Sequence, residues 1–180
     1  MAVLVEGICV VLKCASIQQA HAGGARQWSS EVPNRSLCSD GEVASIRFMN
    51  PDDVRQYVEL LETRGLKRLD SNNRAADMVV TDQMRGFLAP CDWAEFGTTH
   101  WTNDERCPIS VCRLTNSAVS KVFVPAGWKF EESLSASYRF FEGGQLPDSV
   151  KFVRSEPGLD VYRDETTGQE LFVGRTAAQP

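Results

Sequence analysis

One segment in the first half of the sequence constrains the fold most, because it carries the signals for both ends of a single helix. Asn50 can accept a hydrogen bond from a free amide of the first turn, and Pro51 has no amide to leave unpaired. Two aspartates that follow Pro51 suit the positive end of the helix dipole. Gly65 can adopt the left-handed conformation that ends a helix. The sequence therefore predicts a helix over Pro51–Arg64.

This helix has one apolar face and lies between two predicted strands. Four residues recur at helical spacing and form the apolar stripe: Val54, Tyr57, Val58 and Leu61. Apolar and polar residues alternate over Glu42–Met49, which predicts a strand that is half buried on the side of Ile46 and Phe48. Asp77–Thr81 is a further strand candidate. A helix between strands indicates a mixed α and β class, with the stripe packed on a sheet.

The N-terminal region begins with a predicted strand and continues into helical signals. Val3–Leu12 alternates over most of its length and is interpreted as the first strand. Ser16–Val32 has a helical pattern that opens with a possible capping box at Ser16, and Gly23–Gly24 divides it into two short pieces. No positive charge precedes the first apolar run, so a secretory signal is not expected.

The second half of the chain is predicted to be rich in β-strands. The strand candidates are Cys91–Phe96, Ile109–Leu114, Lys121–Pro125, Ser137–Phe141, Val150–Arg154, Leu159–Arg163 and Glu170–Arg175. The last two strands flank a short polar turn in which Gly168 supplies the positive φ of a hairpin.

These patterns lead to one expected architecture. We expect a single α+β domain over residues 1–176, with a strand- and helix-rich part at 1–90 and a β-rich part at 91–176. A mainly antiparallel sheet would carry two helical segments, Ser16–Val32 and Pro51–Arg64, on one face. Residues 177–180 would form a frayed tail.

Charge and cysteine content restrict the classes of partner and the compartment. The net charge is −5 and no basic run is present, so no nucleic-acid partner is expected. No apolar stretch approaches the length of a membrane span, so no membrane partner is expected. The six cysteines lie mostly in apolar runs, which is typical of buried, reduced thiols. We therefore expect a soluble cytoplasmic protein.

The residues best suited to chemistry concentrate between Asp82 and Cys112, and zinc binding is one alternative. Cys91, His100, Cys107 and Cys112 provide the four ligands that a structural zinc site needs. However, Cys107 and Cys112 are five residues apart, whereas zinc ligands usually occur in closer pairs. An odd separation along one strand would also direct the two thiols to opposite faces. We expect no metal or other cofactor.

A cysteine nucleophile is a second alternative in the same stretch. Cys91 would be the nucleophile and His100 the base, with Glu95 or Asp104 orienting the imidazole. Such a thiol needs a pKa lowered by its base and amides that stabilise an oxyanion. The residues that flank Cys91 match no nucleophile motif.

A ligand-binding surface is the preferred interpretation of this stretch. Aromatic side chains among charged residues are typical of recognition surfaces. The candidate ligand-binding residues are Arg85, Trp93, Glu95, His100 and Trp101. We therefore expect non-catalytic binding of a small molecule or a protein partner through a groove near residues 82–101. The alternative is a cysteine-dependent enzyme or a zinc-binding protein that uses Cys91 and His100. The sequence identifies neither the ligand nor the oligomeric state.

Overall fold

A computed structural model describes residues 1–117, 121–137, 150–156, 159–165, 168 and 170–174. These residues form a mixed α and β protein whose sheets are mostly antiparallel, which confirms the predicted α+β class. The chain divides into two compact units. The first contains Met1–Thr99 and Ile109–Trp128, and the second contains His100–Pro108 and Lys129–Pro180. This division does not test the expectation of a single domain, which stays a prediction.

The larger sheet of the first unit has five antiparallel strands in the order β3-β4-β2-β5-β6. Its strands are β2 (Ile8–Lys13), β3 (Cys38–Ser39), β4 (Val43–Phe48), β5 (Met78–Asp82) and β6 (Gly86–Phe87). The strand predicted over Glu42–Met49 corresponds to β4. It was predicted to be half buried, but every residue of β4 except Arg47 is buried, because both faces of this sheet are covered.

Helix α3 (Pro51–Thr63) is placed as the sequence predicted. The Asn50 side chain accepts a hydrogen bond from the Asp52 amide at 2.9 Å, and Gly65 has a φ of 93°. The predicted stripe of Val54, Tyr57, Val58 and Leu61 is the buried face. Local capping signals and amphipathic spacing were sufficient here because both act within a few residues.

Helices α1 (Cys14–Ala20) and α2 (Gly24–Ser30) form the two predicted helical pieces. The first helix begins at Cys14 rather than at Ser16, whose hydroxyl donates to Asp77 Oδ1 at 2.7 Å instead of capping the helix. One buried cluster contains Ile17 of α1, Trp28 of α2, the stripe of α3 and alternate residues of β2 and β4. The expectation that both helical segments lie on one face of the sheet stays a prediction.

The smaller sheet of the first unit has the order β7-β8-β1-β9. Its strands are β1 (Ala2–Val5), β7 (Ala94–His100), β8 (Pro108–Leu114) and β9 (Val122–Phe123). Strand β1 is antiparallel to β8 and parallel to β9. On β8, Ser110 and Cys112 are fully buried, and the Ser110 hydroxyl donates to the Gln83 carbonyl at 2.8 Å. The opposite face of β8, with Val111 and Arg113, is therefore turned away from the five-stranded sheet.

The prediction of one strand over Val3–Leu12 is wrong, because the chain changes sheets in the middle of that run. Gly7, with a φ of 62°, separates β1 in the smaller sheet from β2 in the larger one. Glu6, just before this break, is only 1% exposed. Its carboxylate accepts from Arg47 Nη1 at 2.7 Å and from Trp128 Nε1 at 3.0 Å. This buried acid therefore joins three distant parts of the sequence at the junction.

The second unit contains a three-stranded antiparallel sheet in the order β10-β11-β12. Its strands are β10 (Val150–Glu156), β11 (Leu159–Asp164) and β12 (Glu170–Gly174), and helix α4 (Leu134–Ser137) precedes them. The predicted closing hairpin corresponds to β11 and β12, and Gly168 has a φ of 73°. Of the strand predicted over Ser137–Phe141, only Ser137 is among the described residues, and it is the last residue of α4. The predicted tail at 177–180 lies outside them.

All six cysteines are free thiols, of which four are buried and two, Cys91 and Cys107, are half-buried. Burial raises the pKa of Cys9 to about 11 and that of Cys38 to about 12. Burial also raises the pKa of the Cys112 thiol. Among the described helices, none has the length and apolar character needed to span a membrane.

Candidate functional site

Strands β7 and β8 place one set of alternate residues on the face turned away from the five-stranded sheet. Glu95, Gly97 and Thr99 share a face of β7 because side chains alternate along a strand. Val111 and Arg113 share the corresponding face of β8. This face carries three polar residues, Gly97 and the buried Val111, whereas Ser110 and Cys112 are fully buried on the opposite face.

A cavity of about 270 Å³, called the β7 cavity below, lies over this part of the sheet. Its lining residues are Glu95, Phe96, Gly97, Thr98, Thr99, Val111 and Arg113. Gly97 lines the cavity, and apart from its chain neighbours a Cβ added there would meet no atom within 4 Å. The missing side chain in the middle of β7 therefore leaves space that any other residue would partly fill.

An ion pair crosses between the two strands at the edge of this cavity. Arg113 donates from Nε to Glu95 Oε2 at 2.8 Å, and its Nη2 lies 2.6 Å from the same oxygen. Arg113 Nη1 donates to the Ser117 carbonyl at 2.9 Å, so the guanidinium is fixed. The other carboxylate oxygen of Glu95 has no donor among the described residues. The cavity therefore offers a carboxylate oxygen and the Thr99 hydroxyl to a ligand that carries donor groups.

Comparison with known proteins assigns no function to this cavity. No protein-family model, no curated protein and no solved structure matches the chain. The chemistry of the site therefore has to follow from its own residues.

Two of the candidate ligand-binding residues, Trp93 and Arg85, do not line the cavity. Trp93 precedes β7, and its indole donates to the Ala75 carbonyl at 3.0 Å. The Lys13 ammonium lies 4.9 Å from the centroid of the Trp93 ring. Arg85 is exposed in the turn before β6, where its backbone amide donates to Asp82 Oδ1 at 2.9 Å. Trp93 therefore has structural contacts of its own, whereas Glu95 lines the cavity directly.

His100 and Trp101 belong to the second unit, with Cys107. His100 is the last residue of β7 and is exposed. The Trp101 amide donates to the Cys107 carbonyl at 2.8 Å, which closes the short loop before β8. Arg106 is the main cause of the low pKa of Asp104 in this loop, about 2, and His100 also contributes.

The thiols proposed as nucleophile or zinc ligands lie in different units. Cys91 and Cys112 belong to the first unit, and Cys107 belongs to the second. Burial raises the pKa of Cys91, and the side-chain charges acting on it are those of Lys13 and Asp92. Burial also raises the pKa of Cys107. Within the part of the chain that the structure describes, no three His, Cys, Asp or Glu residues are placed to hold a metal ion.

Sequence reasoning missed a second polar cluster at the C-terminal ends of three helices. His21, Glu31 and Arg64 follow the last residues of α1, α2 and α3. Glu31 Oε2 lies 3.3 Å from His21 Nε2 and 2.8 Å from Arg64 Nη1. The His21 side chain is only 13% exposed. Residues that are 10 and 43 positions from His21 create this environment, and no local pattern could indicate them.

Gly97 and Arg113 were also absent from the sequence-based set. Gly97 lies two residues after Glu95 in the segment predicted to bind, and a glycine inside a strand often marks close approach of another group. That signal was available in the sequence. The position of Arg113 opposite Glu95 depends on strand pairing, which sequence alternation does not give.

Proposed function

We propose that this protein is a non-catalytic binding module that takes a small molecule or a segment of a protein partner into the β7 cavity. The observation that supports this proposal is the open space above Gly97, bordered by the Glu95–Arg113 pair. Binding sites commonly combine a concave surface with a few fixed polar groups. Glu95 is the residue that this site shares with the set proposed from the sequence.

The polarity of the cavity favours a ligand that donates hydrogen bonds. Arg113 already directs its donors to Glu95 and to the Ser117 carbonyl. The remaining oxygen of Glu95 and the hydroxyl of Thr99, which share a face of β7, are then the groups open to a ligand. An amine or a guanidinium would complement this carboxylate oxygen.

The cysteine-dependent alternative has weaker support. A nucleophilic thiol needs a lowered pKa, whereas burial raises the pKa of Cys91. Six free thiols are consistent with a reducing compartment, so we keep the cytoplasm as the proposed location.

A single substitution tests the cavity without removing any contact. Gly97→Val adds a side chain where no atom lies within 4 Å, so the fold should tolerate it. Thr98→Val, which is nearly isosteric, is the matched control. We would screen a fragment library of alkylamines, guanidines, carboxylates and neutral amides against all three proteins by saturation-transfer NMR.

We expect amine and guanidine fragments to bind the wild-type protein and the Thr98→Val variant equally. Their affinity for Gly97→Val should fall at least tenfold while its melting temperature stays within a few degrees of wild type. Equal binding to Gly97→Val, or no fragment binding to the wild type, would contradict the proposal.

A further inference from the structure

Strand β7 differs from the other strands that end the two sheets of the first unit. Those sheets end on β3, β6, β9 and β7. Strands β3, β6 and β9 have two residues each, whereas β7 has seven. A very short edge strand offers few unpaired backbone groups to another chain, and natural proteins use this device to protect sheet edges. Strand β7 alone among these four lacks that protection.

The sequence of β7 also lacks other features that usually protect an edge. It contains no proline and no lysine, and its acidic residue, Glu95, is paired with Arg113. Strand β10, at an end of the sheet in the second unit, shows the contrast. It carries Lys151 and a break in register between Phe152 and Arg154. Lysines and bulges on edge strands discourage pairing with another strand.

From this contrast we infer that the occupant of the β7 cavity is an extended peptide segment. This segment adds to β7 as a fifth strand and places a basic side chain in the cavity. This inference rests on the proposed function and deepens it. Strand addition supplies backbone hydrogen bonds, and pockets for alternate side chains supply specificity.

The backbone direction of β7 identifies the groups that would bind the peptide. The Trp93 carbonyl accepts from the Thr115 amide, just after β8, at 2.9 Å. The direction of backbone groups alternates along a strand, so the N–H and C=O groups of Ala94, Phe96 and Thr98 point away from β8. These are the donors and acceptors that a fifth strand would meet.

The side chains of β7 indicate which peptide would fit. A residue of the added strand that lies beside Gly97 would enter the cavity between Glu95 and Thr99. The free oxygen of Glu95 and the net charge of −5 both favour a lysine or an arginine at that position. The edge is also small. A seven-residue strand is roughly 23 Å long. The surface area along its edge alone is smaller than the roughly 800 Å² that each partner buries in a stable interface. A short segment therefore fits better than a second copy of this chain.

The test uses two blocked heptapeptides, one alternating threonine with lysine and one alternating threonine with glutamate. We expect the lysine peptide to bind the full-length protein at least tenfold more tightly than the glutamate peptide, as measured by fluorescence anisotropy. Binding should slow hydrogen exchange at the amides of Ala94, Phe96 and Thr98. The same protection in the absence of peptide, at concentrations where the chain self-associates, would show that a second copy occupies the edge and would overturn the inference.

A proline substitution tests the backbone contact directly. Thr98→Pro removes an amide that points outward, and prolines are tolerated at such edge positions. We expect this variant to fold and to lose affinity for the lysine peptide at least tenfold, whereas Thr98→Val should bind like wild type. Unchanged binding by Thr98→Pro would overturn the inference.

Modified peptides give the same test on the unaltered protein. N-methylation of alternate residues along one edge of the lysine peptide should abolish binding, and N-methylation along the other edge should not. If both modified peptides bind equally well, strand addition is wrong.

The two proposals fail in distinguishable ways. If Gly97→Val loses the amine fragments while Thr98→Pro keeps the peptide, the cavity binds a ligand but β7 does not add a strand. If Gly97→Val changes neither fragment binding nor the preference for the lysine peptide, the proposed function itself is wrong.

Discussion

The Nε atom of Arg113 on β8 lies 2.8 Å from Glu95 Oε2 on β7, and this pair borders the cavity above Gly97. The pair neutralises the acidic residue of an otherwise uncharged stretch of strand. It also leaves one oxygen of Glu95 for a ligand. The same contact therefore fixes two strands and prepares a binding group.

Glu95→Gln should separate these two roles. The side chains of Arg113 and Glu95 are 33% and 41% exposed, so the free energy of unfolding should change by no more than about 1 kcal/mol. The affinity for the lysine heptapeptide should fall at least tenfold, because the ligand loses a charged acceptor. Urea unfolding and anisotropy measure the two effects. A large loss of stability with unchanged affinity would show that Glu95 is purely structural.

Gly86 and Gly97 form a matched pair for substitution by alanine. Gly86 has a φ of 78°, and a Cβ there would meet the Phe96 ring at 3.1 Å. Gly86→Ala should lower the free energy of unfolding by roughly 1–3 kcal/mol, through backbone strain and crowding. Gly97→Ala should be neutral or stabilising by up to about 1 kcal/mol, because its Cβ meets open space. Equal effects of the two substitutions on the free energy of unfolding in urea would contradict the difference in surroundings between Gly86 and Gly97.

Glu6 should be essential for stability although it does not line the cavity. Glu6→Ala would leave the Arg47 guanidinium and the Trp128 indole without their buried acceptor. We expect a loss of roughly 3–5 kcal/mol in the free energy of unfolding. The control is Glu59→Ala on the exposed face of α3, which should change stability by less than about 0.5 kcal/mol. If Glu6→Ala behaved like the control, the junction between the two sheets would not depend on this residue.

The fold was predictable from the sequence where local forces decide it. The boundaries and buried face of α3 followed from Asn50, Pro51 and helical spacing, and the final hairpin followed from Gly168. The break at Gly7 was missed because apolar alternation continues on both sides of it, and only tertiary pairing separates β1 from β2. The role of Glu6 could not be predicted, because its partners Arg47 and Trp128 lie 41 and 122 residues away in the sequence.

The candidate site was predictable only in part. The composition of residues 82–101 predicted a binding groove that includes Glu95, and Glu95 lines the β7 cavity. Trp93 was selected as a recognition aromatic, but its indole bonds to the Ala75 carbonyl. Gly97 and Arg113 complete the cavity through strand position and pairing, which periodicity alone cannot supply.

Alkylation of Cys91 should distinguish a packed thiol from a nucleophile. Burial raises its pKa above the ordinary value of 9.0, so the protonated thiol dominates at pH 7. The rate of iodoacetamide labelling should therefore rise by about tenfold per pH unit from pH 7 to pH 9, because the thiolate is the reactive species. Cys91→Ser identifies the labelled site by mass spectrometry. A rate that is already at a plateau below pH 7 would indicate a thiolate paired with an imidazolium, and would favour the enzymatic alternative.

The most direct test of the binding site is an amide NMR map of the wild-type protein titrated with the tightest-binding amine fragment. We predict that the largest chemical-shift changes fall on Glu95–Thr99 and on Arg113, around the β7 cavity. Changes concentrated instead around His21 and Arg64, with the amides of β7 unaffected, would show that the ligand site lies elsewhere in the protein.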